Sequence, residues 1–178
     1  MKFWNYYQTI KVMKTSYDYM YKKIIEVGDY NRMSELVNEY RNSDKRIVFT
    51  NGCFDIVHYG HIDSLSRASN EGDILIVGLN SDISVKKLKG HNRPIHYERA
   101  RAIVLASLHC VDMVVVFEED TPEYIIDIIR PDVLAKGCEY EITNIAGADI
   151  VKSYGGDIVR LPVLSGFSTT DILRKNMI

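Results

Sequence analysis

Arg46-Ile-Val-Phe-Thr-Asn-Gly-Cys-Phe-Asp-Ile-Val-His-Tyr-Gly-His61 opens as a strand and closes as the start of a helix. Arg46 to Thr50 is a brief apolar run without polar alternation, which suits a strand buried on both faces and so a parallel sheet covered by helices. Thr50, Asn51, Gly52, Cys53 and Phe54 lead into a loop where Gly52 lets the backbone approach a phosphate closely. His58 and His61 stand three residues apart across the helix start, so both imidazoles can face one anion. The same spacing is open to a buried core pair or a metal site. Neither GxGxxG nor GxxxxGK[ST] is present.

Outward from this segment the pattern repeats. Ile74 to Leu79, Met113 to Phe117, Val133 to Ala135 and Ile158 to Leu161 read as further buried strands, five in all. Helical stretches separate them: His61 to Glu71, Tyr97 to Leu108, Thr121 to Ile129 and about Ile145 to Tyr154. Thr121-Pro122 is a helix-start signal, and Gly155-Gly156 is a stop. Strands alternating with helices predict an α/β fold, a Rossmann-like doubly wound five-stranded parallel sheet. Residues 1–43 differ from the rest, being rich in Tyr and Lys, and are expected to form an N-terminal helical extension to a domain over 44–178. Met33, Leu36, Val37 and Tyr40 mark a helix over Asn31 to Arg41. Tyr17, Met20, Tyr21, Ile24 and Ile25 suggest another, used for packing or dimer contact.

A chain of 178 residues suits one catalytic domain with a full core. Lys plus Arg total 22 against 24 for Asp plus Glu, so no whole-molecule attraction draws nucleic acid, and any anion must be held locally. Cys53, Cys110 and Cys138 are scattered and odd in number, which indicates neither a disulfide framework nor a zinc site and fits a reducing cytoplasm. No apolar run approaches the ~20 residues of a membrane span, and the first residues carry no signal-peptide core. A soluble protein without membrane or nucleic-acid partners is expected.

The His-x-Gly-His arrangement after a first strand resembles the nucleotidyltransferase superfamily of the cytidylyltransferase type. Gly166-Phe-Ser-Thr-Thr170 resembles its second signature, usually Ile-Ser-Thr-Thr, with Phe167 in place of isoleucine. Val77 to Asp82, Ser84 to Gly90, Arg93-Pro-Ile95, Phe117 to Pro122 and Arg130 to Gly137 make the chain similar to the adenylyltransferases of bacterial ADP-heptose synthesis, over roughly Asn31 to Lys175. Cys138 and Glu139 depart from the Gly-Asp common there. Many of those relatives fuse the transferase behind a ribokinase-type sugar kinase, for which this chain has no room. The stand-alone form is therefore expected, with a separate kinase supplying the sugar phosphate.

The resemblance implies transfer of AMP from ATP to a sugar 1-phosphate such as heptose 1-phosphate, for surface-polysaccharide precursors, with Mg²⁺ accompanying ATP and no dedicated metal cage. Competing readings are a cytidylyltransferase using CTP on glycerol 3-phosphate or a related alcohol phosphate, an FAD synthetase, and a nucleotide-binding module without turnover. By resemblance, His58 and His61 contact the triphosphate while Gly60 keeps the turn clear. Lys89 swings onto the β- and γ-phosphates from a mobile loop, with Lys86 a weaker companion, and Arg101 faces the triphosphate. The ordinary alternatives are a solvated face for the lysines and a surface ion pair with Glu98 for Arg101. Ser168, Thr169 and Thr170 either hold phosphate or cap a helix. Asp55 is read as a substrate or turn ligand, and Lys136, at the end of the fourth predicted strand, as a binder of the sugar phosphate. A homodimer is implied, with Trp4, Tyr6 and Tyr7 as candidates to extend its interface.

Overall fold

The computed structural model describes residues 17–164 and 166–167. Trp4, Tyr6, Tyr7 and Ser168 to Thr170 lie outside the described residues. Six parallel strands form one sheet: β1 (Ile24–Ile25), β2 (Ile47–Gly52), β3 (Ile74–Asn80), β4 (Met113–Phe117), β5 (Val133–Gly137) and β6 (Asp157–Leu161), in the order β1-β4-β3-β2-β5-β6. Helices α1 (Tyr30–Asn42), α2 (Tyr59–Ser69), α3 (Asp82–Lys89), α4 (Glu98–Ala106), α5 (Glu123–Ile129) and α6 (Ala148–Ser153) intervene, with a 3₁₀ turn at Ile142–Asn144. The fold is the expected Rossmann-like α/β architecture.

Burial on both faces explains why the strands read as continuous apolar runs. Val48, Leu75, Val77, Val114 and Val133 share one core layer with Leu65 of α2 and Leu105 of α4. The alternate positions Ile47, Phe49, Ile76, Met113 and Val115 share the other with residues of α1, α5 and α6. Successive strand side chains point to opposite faces, so each strand feeds both layers.

Two expectations change. The sheet has six strands rather than five, because Ile24 and Ile25 extend along β4 in register with Val114 and Val115 instead of forming a helix; residues 17–22 before them are helical. A two-residue strand carries too little periodicity to be distinguished from a helix by pattern alone. Residues from 24 onward thus belong to the same sheet and core as the rest, since Met33 and Val37 are fully buried in the second layer. The second change concerns Lys86 and Lys89, expected on a loop, which lie on α3. Ser81 caps that helix by accepting from the Ser84 amide, and Gly90, at φ +92°, ends it in a conformation L side chains rarely adopt.

The order places β2 between β3 and β5, so the chain leaves β2 toward one side and returns on the other. A crevice opens at the carboxyl ends of β2 and β5, where such sheets bind ligands. Among the described residues no helix is long and apolar enough to cross a membrane.

Met33 tests the place of α1 in the core. Met33→Ala is expected to cost about 2–5 kcal/mol of stability, measured by urea unfolding; a loss below about 0.5 kcal/mol would show α1 to be an appendage.

Candidate active site

A cleft of about 660 Å³ lies over that crevice. Thr50, Asn51, Gly52, Cys53, Phe54, Asp55, His58, Gly60 and His61 supply its floor from the head of β2 through the start of α2. Lys136 comes from β5 and Lys89 from the last turn of α3.

The two imidazoles stack, with ring centroids 3.8 Å apart and planes 24° from parallel. His58 is the N-cap residue of α2, and the amides of His61 and Ile62 both turn back to its carbonyl. A methyl group at Gly60 would meet the His58 ring at 3.2 Å and Phe167 Cβ at 3.1 Å, so glycine there lets the ring and the later segment close on the helix start. Burial lowers the pKa of His58. Burial first, then His58 and Lys89, push His61 down to about 4. Both rings therefore favour the neutral form near pH 7. Among the described residues, His58 Nδ1 and His61 Nδ1 are buried without a hydrogen-bond partner, an arrangement that calls for a reason.

Lys136 is the second unusual group. Its ammonium donates to Asn51 Oδ1 at 2.8 Å and to the Asn51 carbonyl at 3.0 Å, and it sits 5.5 Å from the centre of the Tyr140 ring. Burial lowers its pKa to about 8, against the opposing charges of Glu139 and Cys53. A cation is thus held at the junction of β2 and β5.

Arg101 faces elsewhere than the resemblance implied, and Asp55 takes the turn-ligand role of its two readings. Arg101 is 1% exposed and does not line the cleft. Its guanidinium donates to the carbonyls of Cys53 (2.6 Å) and His96 (2.9 Å) and to Asp82 Oδ1 (2.8 Å), so every arm is committed to protein rather than to a triphosphate. Glu98 accepts from the Asp82 amide instead of pairing with Arg101. Asp55, 3% exposed, is likewise a turn ligand: it accepts from Arg93 Nε at 2.5 Å, the Ile95 amide at 2.7 Å and the His96 amide at 3.1 Å. Both of its oxygens are thus engaged by the protein. Lys86 is exposed on α3 away from the cleft, and Lys87 pairs with Asp120 at 2.9 Å.

The cleft also gathers residues that motif reading passed over. Asn80, Asp120 and Pro122 form one wall, beyond β3 and β4; Glu139, Tyr140, Val163, Leu164 and Phe167 form the other, beyond β5 and β6. The usable signal was positional, because each follows or ends a strand at its carboxyl edge. Phe167 packs edge-on against Tyr59, 5.3 Å between centroids, which brings the segment leading to Ser168 against the start of α2. Among the described residues, no group of three or more His, Cys, Asp or Glu side chains is placed to hold a metal ion.

Asp55→Asn separates a turn ligand from a substrate ligand. Removing one partner of a buried ion pair typically costs about 3–5 kcal/mol, so thermal unfolding should show a large loss of stability in the variant. Unchanged stability with a raised KM would return Asp55 to the substrate.

The Cytidylyltransferase-like family pattern matches residues 49–175. The chain is 49% identical over 145 residues to "Bifunctional protein HldE" of Koribacter versatilis, covering 82% of this chain and 30% of the relative. It is 47% identical over 159 residues to the protein of that name from Campylobacter jejuni subsp. doylei, covering 84% and 34%. The chain thus spans about a third of the length of these curated relatives. Two solved structures share the fold. One is the lipopolysaccharide core biosynthesis protein from Thermoplasma volcanium, with a TM-score of 0.55, 24% identity and coverage of 67% of this chain and 97% of the other. The second is a pantoate-beta-alanine ligase from Francisella tularensis complexed with a form of ATP and beta-alanine, with a TM-score of 0.58, 16% identity and coverage of 86% and 77%. With a match spanning well over half its length, the chain belongs to the cytidylyltransferase-like family and is a nucleotidyltransferase.

Proposed function

We propose that this chain transfers AMP from ATP to the phosphate of heptose 1-phosphate, giving ADP-heptose and pyrophosphate for surface-polysaccharide precursors. The observation that carries nucleotidyl transfer is the stacked, neutral histidine pair at the start of α2, whose Nδ1 atoms find no partner among the described residues. The choice of sugar rests on the segments from Val77 to Gly137 that resemble heptose enzymes, and the relatives named HldE agree with it.

In this reading an oxygen of the sugar phosphate attacks the α-phosphorus of ATP, and the bond from that phosphorus to the pyrophosphate oxygen breaks. The attacking phosphate is already ionised near neutral pH, so alignment and charge stabilisation matter more than a general base. The triphosphate meets His58 and His61 together with the backbone at Gly52 and Gly60. Its charge favours protonation of the imidazoles, offsetting what burial does to them. Lys89 reaches the outer phosphates. The segment through Phe167 that leads to Ser168, Thr169 and Thr170 closes on the same side, so the nucleoside lies along the wall beyond β5 and β6. The opposite wall, Asn80, Asp120 and Pro122, is left for the sugar. Lys136 stands between the two, where the acceptor phosphate meets the α-phosphorus.

Mg²⁺ fits this charge distribution. Lys89 and Lys136 share the cleft with Asp120 and Glu139, while Asp55 is already neutralised by Arg93. Such a lining offers little net positive charge to a triphosphate, so a divalent ion held by the phosphate oxygens themselves supplies the remainder and stabilises the leaving pyrophosphate. We also propose a homodimer, which the family resemblance implies, and a cytoplasmic location, with which the free cysteines Cys53, Cys110 and Cys138 accord.

Three outcomes are expected. Pyrophosphate release should require ATP with heptose 1-phosphate in a panel of ATP, CTP and GTP against sugar and alcohol phosphates; turnover with CTP alone would replace this reading with a cytidylyltransferase. His61→Ala should fold and lose about 10²- to 10³-fold in kcat, whereas near-normal turnover would remove the histidine pair from the chemistry. Because Lys136 loses its proton near pH 8 in the free enzyme, kcat/KM should fall as pH rises through about 8. Lys136→Met should abolish that limb together with most of the rate, and an unchanged profile in the variant would assign the limb elsewhere.

A further inference from the structure

Outside the family match at 49–175, α1 contributes one polar side chain that leads into the cleft. Tyr30, its first residue, donates its hydroxyl to Glu119 Oε1 at 2.9 Å. Glu119 belongs to the turn after β4, and its other carboxyl oxygen accepts from the Glu118 amide at 3.0 Å. The Glu119 carbonyl accepts from Ser84 Oγ at 3.3 Å, and Ser84 Oγ accepts in turn from Asn80 Nδ2 at 2.9 Å. Asn80 and Ser84 are buried, at 4% and 1% exposure. Asn80, Asp120 and Pro122 line the cleft. The turn over 118–122 is therefore held from below through Ser84 and from outside through Tyr30. The Tyr30 ring also meets Tyr124 of α5 edge-on, with centroids 5.2 Å apart, which fixes the approach of the phenol.

We infer that Tyr30 is a positioning residue for the acceptor wall: its hydroxyl sets the 118–122 turn, which with Asn80 presents the surface against which the sugar phosphate lies. This rests on the placement of the acceptor given above. Tyr30 touches no substrate itself, since it acts through Glu119. The phenol is suited to a constant role because burial and the Glu119 carboxylate push its pKa up to about 12, so it remains a donor across the working range. Asp120 extends the effect, since its pairing with Lys87 ties the same turn to α3, whose last turn carries Lys89.

Tyr30→Phe keeps the ring and its contact with Tyr124 while removing the hydroxyl. Ser84→Ala cuts the same connection from inside, and Tyr40→Phe removes a phenol from the far end of α1 as a control. Initial rates would be measured with ATP and heptose 1-phosphate, or with glycerol 3-phosphate if that is the phosphate turned over, alongside melting temperatures. Tyr30→Phe and Ser84→Ala should each raise the KM for the acceptor by about threefold or more, leave the KM for ATP within about twofold, and differ in this from Tyr40→Phe. A lowered melting temperature with both KM values unchanged would make Tyr30 merely structural and overturn the inference. A rise in the KM for ATP alone would keep Tyr30 as a positioning residue but assign this wall to the nucleotide, overturning the acceptor placement.

Discussion

A buried guanidinium joins three chain segments at the carboxyl edge of the sheet, and the cleft depends on it. Arg101 holds the Cys53 carbonyl of the loop after β2, the His96 carbonyl of the connection before α4, and the Asp82 carboxylate at the start of α3. A charge so deeply buried is tolerable only with its donors satisfied, so the three acceptors are fixed relative to one another. Asp55 reinforces the arrangement from the other direction by taking three donors from residues 93–96. Between them these groups lock the loop that leads to His58 and His61, and they anchor both ends of the chain that carries Lys89.

The division of labour that results is an unusual one for charged residues near a phosphate site. Cations that look available in the sequence are consumed in building the frame, while the groups turned toward the cleft are two neutral imidazoles and two lysines. Neutral rings avoid the cost of stacking two imidazolium ions at 3.8 Å. In a site partly removed from water the field of an anion favours protonated rings, so such a pair can gain positive charge on binding, in addition to that of the two lysines.

The segment before the family match is part of the same machine in structural terms. Ile24 and Ile25 complete the sheet edge, Met33 and Val37 fill the second core layer, and Tyr30 reaches the turn after β4. Arg41 adds to this by donating to the carbonyls of Ile129 and Arg130 at the end of α5, where the αL conformation of Arg130 turns them outward. Residues that compositional bias sets apart are thus bound to the domain by backbone pairing, packing and hydrogen bonds at once.

Much of this molecule was legible before any coordinates. The apolar runs 46–50, 74–79, 113–117, 133–135 and 158–161 determined a parallel sheet covered on both faces, because strands of that kind cannot tolerate polar alternation. The His58-x-x-His61 spacing after the first run pointed to the place where the cleft lies, since a strand followed by a helix start sets it locally. What the linear pattern could not determine was which polar side chains face the ligand and which face the protein. Arg101 was read toward the triphosphate and Asp55 as a substrate or turn ligand, yet their partners lie 5 to 48 residues away in the chain and come together only when β2, α3 and α4 meet. Tertiary structure alone decided that, because hydrogen bonds to distant backbone leave no periodicity in the sequence, and the same long-range pairing turned Ile24-Ile25 into a strand that two residues could not announce by themselves.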